Sequence, residues 1–469
     1  MKRKFKTITV EQLEVTAVEF QGKGVARHNG KVIFVEQAVP GDIVDVRLTK
    51  SKKDFAVGTI IKFHKYSEER QTPFCEHFGI CGGCKWQSLP YSKQLQYKHS
   101  FVVDAISKIG RLNEVPILPI IGCEQQTYFR NKLEYTFSDS SWLTQEQLDN
   151  NEVFDQRNAL GFHIPGRFDK VLQIEKCWLQ NDLSNDIRNF IYRYANENNL
   201  TFFNIRAQTG LLRNLIIRTA TTGENMVVLV VKENDEAAIS NIMEQLKNNF
   251  PQITSLNYVV NSGANDMIHA FEVVCYSGKP FIIEELGNLK FKVGPKSFFQ
   301  TNTLQAKKLY DIALEFADLK GTENIYDLYT GIGSIALYAA DKCKSVAAIE
   351  QIPDAIEDAK SNAELNNITN CTFYVGDVKD MFNEDFYAKH GAPDVVITDP
   401  PRVGMHVDVV KTLLDMPVPK IVYVSCNPTT QARDLQLLSE KYTVEKIQPV
   451  DMFPQTYHIE SVALLKLKN

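Results

Sequence analysis

The chain has 469 residues, 44% apolar and 23% charged, with a formal net charge of −5; it is long enough for about three packed domains and is neither low-complexity nor globally basic. Without an apolar run near the roughly 18 residues of a membrane span, and with Met1-Lys2-Arg3-Lys4 leading into polar sequence rather than an apolar signal core, no membrane partner and a cytoplasmic location are expected. Nine scattered cysteines, an odd number, point to free thiols and metal ligation rather than a disulfide framework.

Charge is unevenly spread. Residues 1–65 hold 13 Lys or Arg against seven Asp or Glu, with Lys50, Lys52 and Lys53 in one loop. Four short β-rich runs (15–18, 31–35, 43–48 and 56–61) are separated there by Gly22, Gly24, Gly30 and Pro40-Gly41, which predicts a small OB-like barrel over 1–66 with a local basic face for RNA. After a cysteine-rich loop, Leu95, Val102, Ile106 and Ile109 fall on one stripe of a helix over 94–109, stopped by Gly110. Residues 116–290 read as mixed α+β, with a hairpin of 211–219 and 225–231 around Thr221-Thr222-Gly223 and a polar surface insertion at 142–158. From about 291 strands (324–329, 345–350, 371–375, 394–398, 421–425) alternate with helices (335–340, 353–366, 407–414), the pattern of an α/β, doubly wound, Rossmann-like sheet. Two more strands, 444–453 and 459–467, close the chain.

The chemistry-bearing motifs sit at the ends of these strands. Tyr326-Asp327-Leu328-Tyr329-Thr330-Gly331-Ile332-Gly333-Ser334 is a strand, a glycine turn and a helix start, where backbone can approach a cofactor; it also fits the G-x-G-x-x-A dinucleotide fingerprint. Glu350 ends the next strand, where a carboxylate can accept hydrogen bonds from ribose hydroxyls, and Gly376-Asp377 follows the third, where an adenine amine could be held. Asp399-Pro400-Pro401-Arg402 follows the fourth: either a rigid platform beside an acid or a plain loop terminator. The fifth delivers Cys426, a soft nucleophile or else a small buried hydrophobe; Glu460, two residues after His458, is a proton acceptor or else a strand-end carboxylate. Cys75, Cys81 and Cys84 give C-x5-C-x2-C with Gly82-Gly83 between the last two, and Cys177 is the expected fourth ligand. Such a set can hold an iron–sulfur cluster or zinc, and the spacing does not choose between them; the C-x3-C-x2-C triad of radical enzymes is absent.

Taken in order, Cys75-x5-Cys81-Gly-Gly-Cys84, Pro295-Lys296-Ser297-Phe298-Phe299-Gln300-Thr301-Asn302, Asp399-Pro-Pro-Arg402, Ser425-Cys426-Asn-Pro428 and Met452-Phe-Pro454…His458-Ile-Glu460 make the chain resemble the bacterial uridine-5-methyltransferases that modify ribosomal RNA. The resemblance covers nearly the whole length. It implies a TRAM barrel (1–66), a central iron–sulfur domain (67–91 and 116–290) and a methyltransferase domain (92–115 and 291–469), acting as a monomer on ribosomal RNA, with the T-loop of transfer RNA as the alternative. It makes Cys426 the nucleophile on carbon 6 of uracil and Glu460 the base that takes the carbon 5 proton. S-adenosylmethionine would lie against Gln300, Tyr329, Gly331, Ser334, Glu350, Asp377 and Asp399, with Gln300 and Asp399 also near the uracil edge, and a 4Fe-4S cluster would be held by Cys75, Cys81, Cys84 and Cys177. Arg130, Asn131 and Lys132, beside Tyr128-Phe129, form either a basic and aromatic cluster suited to RNA or a solvated strand end. Ser334, Asp377 and Tyr457 depart from residues common at these places in related sequences. Two other classes are weighed. An amino-methyltransferase needs an aromatic where Arg402 stands and no thiol; a non-catalytic RNA-binding iron–sulfur protein needs neither Cys426 nor Glu460.

Overall fold

A computed structural model describes residues 8–143, 145–150 and 157–469. The expected insertion at 142–158 therefore falls in part outside the described residues.

Alternating burial closes the N-terminal strands into a five-stranded barrel in the order Thr9–Val18, Gly24–His28, Lys31–Glu36, Phe55–Lys65, Ile43–Ser51. Ile33/Val35 and Val44/Val46 point inward, and Gly58 is required where a Cβ would stand 2.4 Å from Val46. The strand Gly24–His28, within the Gly-interrupted stretch, has too few β-branched residues to announce itself. Asp42 organises the barrel's exit, accepting from Ser67 N and Val39 N and pairing with Arg70 at 2.7 Å.

The central sheet has the order Val273–Gly278, Ile253–Val260, Asn225–Val231, Leu212–Thr219, Lys132–Ser138, Ala159–Ile164, Arg167–Gln173. All neighbours are antiparallel except Asn225–Val231 and Ile253–Val260, a parallel pair joined through the helix Glu236–Asn249. One face packs on that helix and on Asp182–Glu197; the other, through Ile216, Met226, Val228 and Val230, is continuous with the core of the C-terminal unit.

That unit is a seven-stranded sheet ordered Cys371–Val375, Ser345–Glu350, Asn324–Leu328, Val395–Thr398, Lys420–Ser425, Glu460–Leu467, Tyr442–Val450. Its first five strands are parallel, so their carboxyl ends share one edge; Glu460–Leu467 runs antiparallel to both neighbours and brings its first residue to that same edge. Ile117 and Ile121 form parallel bridges to Ile447 and Val450, so the expected boundary at 116 cuts a segment that lies along this sheet.

The helix expected over 94–109 starts earlier, at Tyr91, runs to Asp104 and widens into a π-helical turn, Ala105–Ile109. Val102 and Ile106 are buried as the stripe predicts, but Ile109 is exposed and the amino-terminal half of the buried face is polar: Gln94 and Lys98 are both fully buried. Lys98 pairs with Asp451 at 2.6 Å.

Candidate active site

Along the common edge lies a cavity of about 1160 Å³. It is lined by Gln300, Tyr329, Gly331, Ser334, Glu350, Asp377, Asp399, Cys426 and Glu460, so every cofactor and catalytic position expected from the sequence faces one space; Arg130 reaches it from the central sheet. Lys132 does not line it.

The glycine turn is built for close approach. Tyr329, Gly331 and Gly333 all have left-handed backbone, at φ 68, 57 and 81°. A Cβ on Gly331 would meet nothing within 4 Å, whereas one on Gly333 would press on Ala359 and Phe373 at 3.1 Å, so the first glycine leaves room in the cavity and the second lets the helix Ser334–Ala339 pack. Glu350 braces the turn, accepting from Gly331 N at 3.1 Å through one carboxylate oxygen and from Ile352 N at 3.0 Å through the other. Beneath it, buried Asp327 accepts from Thr330 Oγ1 at 2.5 Å, and burial pushes its carboxyl up to about 7. Ser334 Oγ is paired with the buried Tyr310 hydroxyl at 3.0 Å. Asp377 caps the short helix Val378–Met381 through Lys379 N and also holds Lys379 Nζ at 3.0 Å, an interaction that keeps its carboxyl below the ordinary range.

Opposite the turn, the Asp-Pro-Pro-Arg loop and the Cys426 loop are fastened to each other. Asn427 Nδ2 and Thr430 Oγ1 both donate to the Arg402 carbonyl, at 3.0 and 3.2 Å, and buried Asp434 accepts from Met405 N and the Tyr423 hydroxyl. Asn427 also caps the helix Pro428–Leu438, so Cys426 sits just ahead of a helix start on a fixed corner, half-buried and open to the cavity. Burial, then the neighbouring Glu460 and Asp399 carboxyls, push its thiol up to about 12, with Arg402 opposing. Glu460 is buried, and burial followed by Asp399 raises its carboxyl well above the usual carboxylate range; burial alone raises Asp399 to about 7. His458, whose Nδ1 lies 3.4 Å from Arg402, is pushed down to about 4 by burial and by Arg402, so its ring is neutral. The cavity thus gathers a thiol and two acids that hold their protons and a neutral imidazole; a cation placed among them would favour the ionised forms of all three acids.

A second cavity, of about 540 Å³, shares the wall formed by Arg130, Lys296, Phe298 and His458. Cys75, Cys81, Cys84 and Cys177 all line it. Its other charged walls are Arg130, Lys132, Lys176, Arg218 and Lys296, with the Glu134 carboxylate among them. Arg218, buried, donates to Ser297 O at 2.5 Å but leaves its Nε without a hydrogen-bond partner; burial, then Arg218, lowers Lys132 to about 8, and burial lowers Arg130. Lys132, expected beside RNA, therefore faces the cysteines. Burial pushes Cys81 and Cys84 up to about 11 and 12. Among the described residues, no group of three or more His, Cys, Asp or Glu side chains is arranged around a single metal ion.

Other residues support the site: Asn131, whose side chain donates to the Gln300 carbonyl and Thr303 Oγ1; Asp434, which sequence reading did not single out; and Tyr457, noted there only as a departure from related sequences, whose ring lies 6.1 Å from Phe20 of the barrel and 4.3 Å from His458. Asn131, between two basic residues, gives no sign in sequence of a buried-amide role.

Two profiles match this chain: one described as tRNA (uracil-5-)-methyltransferase over residues 219–468, and a TRAM domain over residues 1–61. Among curated proteins, an uncharacterized RNA methyltransferase of Bacteroides thetaiotaomicron is 52% identical over 451 residues, covering 96% of this chain and 99% of its own; one of Porphyromonas gingivalis is 48% identical over 460 residues, covering 97% and 99%. A solved structure, the Pyrococcus abyssi tRNA (uracil-54, C5)-methyltransferase in complex with S-adenosyl-L-homocysteine, is 28% identical with a TM-score of 0.75, over 97% of this chain and 99% of that one.

Proposed function

The chain belongs to the tRNA (uracil-5-)-methyltransferase family, an S-adenosylmethionine-dependent RNA methyltransferase with a TRAM domain, and from that premise we propose that it methylates carbon 5 of a uridine through a covalent bond between Cys426 and carbon 6. The observation that carries this reading is the meeting of Cys426, Glu460 and Asp399 on one cavity at the carboxyl edge of the sheet. Tyr329, Gly331, Ser334, Glu350 and Asp377 would hold S-adenosylmethionine, and the open space over Gly331 suits such a ligand. When bound, it supplies the methyl that carbon 5 acquires and a positive charge beside the acids.

Carbon 5 of uracil is a weak nucleophile by itself. Addition of the Cys426 thiolate, favoured by the cofactor's positive charge, to carbon 6 turns carbon 5 into an enolate carbon, and Asp399 lies on the same cavity to meet the ring edge. Gln300 presents an amide to the ring edge. After methylation Glu460, as carboxylate, takes the carbon 5 proton; the freed electron pair restores the double bond and Cys426 leaves as thiolate. A base within a helix exposes neither face, so the target uridine must be unstacked, most cheaply in a single-stranded or irregular segment. Arg130, on the cavity wall with its guanidinium 5.8 Å over the Phe453 ring, is placed for an RNA contact.

The four cysteines would hold a 4Fe-4S cluster. The four thiols line one cavity, and its predominantly basic walls, with the orphaned Arg218 Nε, suit a cysteinate-bound dianion. No redox step is required of it. On this reading residues 1–66, 67–91 with 116–290, and 92–115 with 291–469 act as barrel, cluster and catalytic units, save that 117–121 lie along the catalytic sheet. We take ribosomal RNA as the target, on the combination of barrel and cysteine set; the likeness to the archaeal tRNA enzyme favours transfer RNA as the second reading. Mapping the 5-methyluridine lost from total RNA of a deletion strain separates the two, and loss of none overturns the proposal.

A further inference from the structure

The loop that leads into Glu460 begins at Asp451, and much of what fastens it lies on the segment that leaves the cysteine loop. Immediately after Cys84, the backbone N–H groups of Lys85 and Trp86 both donate to the Gln455 carbonyl, at 2.7 and 3.1 Å. Gln94, fully buried, accepts from Gln455 N at 2.9 Å and donates to Gln455 Oε1 at 2.9 Å and to the carbonyls of Trp86 and Leu89. One turn on, Lys98 Nζ donates to Asp451 Oδ1 at 2.6 Å and to Phe453 O at 3.0 Å, while the Tyr91 hydroxyl donates to Asp451 Oδ2 at 2.8 Å. Gln455 stands at φ 68°, a left-handed conformation that a non-glycine residue keeps only where its surroundings hold it. At the other end of this clamp, Gln87 Oε1 accepts from Cys75 N at 3.1 Å. The shape of the cysteine loop is thus transmitted, through one residue's carbonyl and one buried amide, to the strand end that carries the base.

We infer that Gln94 and Gln455 are positioning residues for Glu460, and that the cysteine centre governs the elimination half of the reaction rather than the addition half. This rests on the reading in which Cys426 adds and Glu460 accepts the proton. The two halves are fastened differently: Cys426 is held through Asn427 and Thr430 to the Arg402 carbonyl, whereas the 451–459 loop is held by the clamp and meets that side through His458 Nδ1, 3.4 Å from Arg402. In elimination the carbon 5 proton passes to the Glu460 carboxylate, the C–H pair becomes the carbon 5–carbon 6 double bond, and the Sγ–carbon 6 pair leaves with Cys426. A buried polar network of this kind tolerates no loose member, so a cysteine loop without its centre would let the 451–459 loop shift and stall that step alone. An enzyme so altered stays bonded to its RNA.

The test compares the protein as purified with the same protein stripped by ferricyanide and EDTA, and with Gln94→Met and Gln455→Gly, the second of which removes the side-chain bond while relieving the left-handed backbone. Hydrogen exchange of 451–460 is read by mass spectrometry, adduct formation on 5-fluorouridine RNA, and adduct release on ordinary RNA. The expectation is faster exchange of the loop in all three altered proteins, release slowed roughly tenfold or more, and formation changed by less than about twofold. Loop exchange that stays slow after stripping overturns the inference even where Cys426 forms its adduct; so does equal slowing of formation and release, which marks a general scaffold. Failure of the unaltered protein to form any adduct overturns the catalytic reading and this one with it.

Discussion

The two adjoining cavities share a wall and differ in their balance of charged side chains. Around the first, burial pushes acids upward: Cys426 to about 12, Asp399 and Asp327 to about 7, and Glu460 well above its ordinary range. Around the second, burial raises the cysteine thiols and Glu134 but also pushes bases downward: Lys132 to about 8, with Arg130 and Arg218 also lowered. A fold tolerates such displaced groups where a ligand of the opposite charge offsets them, so the acid-walled cavity suits a cation and the base-walled one an anion. The sulfonium of S-adenosylmethionine and a cysteinate-bound cluster are respectively a cation and an anion.

The comparison is broken most directly at the thiol. Cys426→Ala should lower methyl transfer on the order of 10⁴-fold and abolish the denaturation-resistant adduct with 5-fluorouridine RNA on a denaturing gel; an adduct that persists moves the nucleophile elsewhere. Glu460→Gln should cost roughly 10²-fold or more in turnover while adduct accumulates on ordinary RNA, and normal turnover would reassign the base. In the second cavity, Cys→Ser at 75, 81, 84 or 177 should bleach a brown, iron-containing protein and lower its thermal midpoint; elemental analysis giving one zinc and no iron would replace the cluster and leave the charge contrast standing.

A gentler probe is salt. Lys50, Lys52 and Lys53 are exposed on the barrel, and replacing all three by Ala should reduce the slope of log affinity for RNA against log salt by roughly two, leaving cofactor binding unchanged; an unaltered slope would take RNA off this loop. The smallest effect is on stability against pH. Asp327 and Asp399 hold protons in the fold that the unfolded chain releases near pH 4, so their contribution is complete below about 4 and is lost as pH rises through about 7; Glu460, raised by burial, acts in the same direction. His458, lowered to about 4, acts in the opposite sense, weakening the fold as pH falls below about 6.5. The thermal midpoint of the cofactor-free protein should therefore fall by a few degrees between about pH 5 and 8, and Asp399→Asn should flatten that fall.

How legible these features were in sequence depended on how the residues announce themselves. Strands such as Ser345–Glu350 and Val395–Thr398 match the sequence reading because a buried parallel strand is a short apolar run with turn residues at its ends. The glycine turn, the double proline and the cysteine spacing carry their own chemistry and mark their cavities from a distance. Polar residues buried for structural reasons carry no such sign. Gln94 and Lys98 look like the solvated face of an amphipathic helix, which placed the helix start three residues late, and Lys132 looks like an RNA contact although it borders the cysteines. The helix Thr303–Ala317, absent from the reading, is largely buried and so lacks a clear polar stripe. What turns these residues inward is their partners, and Asp451 or Gln455 cannot be chosen from among dozens of polar residues by sequence alone.

The pairing of Lys98 with Asp451 spans 353 residues, and that of Gln94 with Gln455 spans 361. During synthesis the helix Tyr91–Asp104 therefore leaves the ribosome long before anything exists to cover its buried ammonium. Barrel and central sheet can fold as their strands emerge, but this helix must wait, lysine hydrated, until almost the last residues are made. A chain cut short before Asp451 would keep 450 of its 469 residues and all four cysteines of the second cavity, yet it would be left with an uncompensated buried charge, which gives the cell's proteases a ready mark of an unfinished molecule.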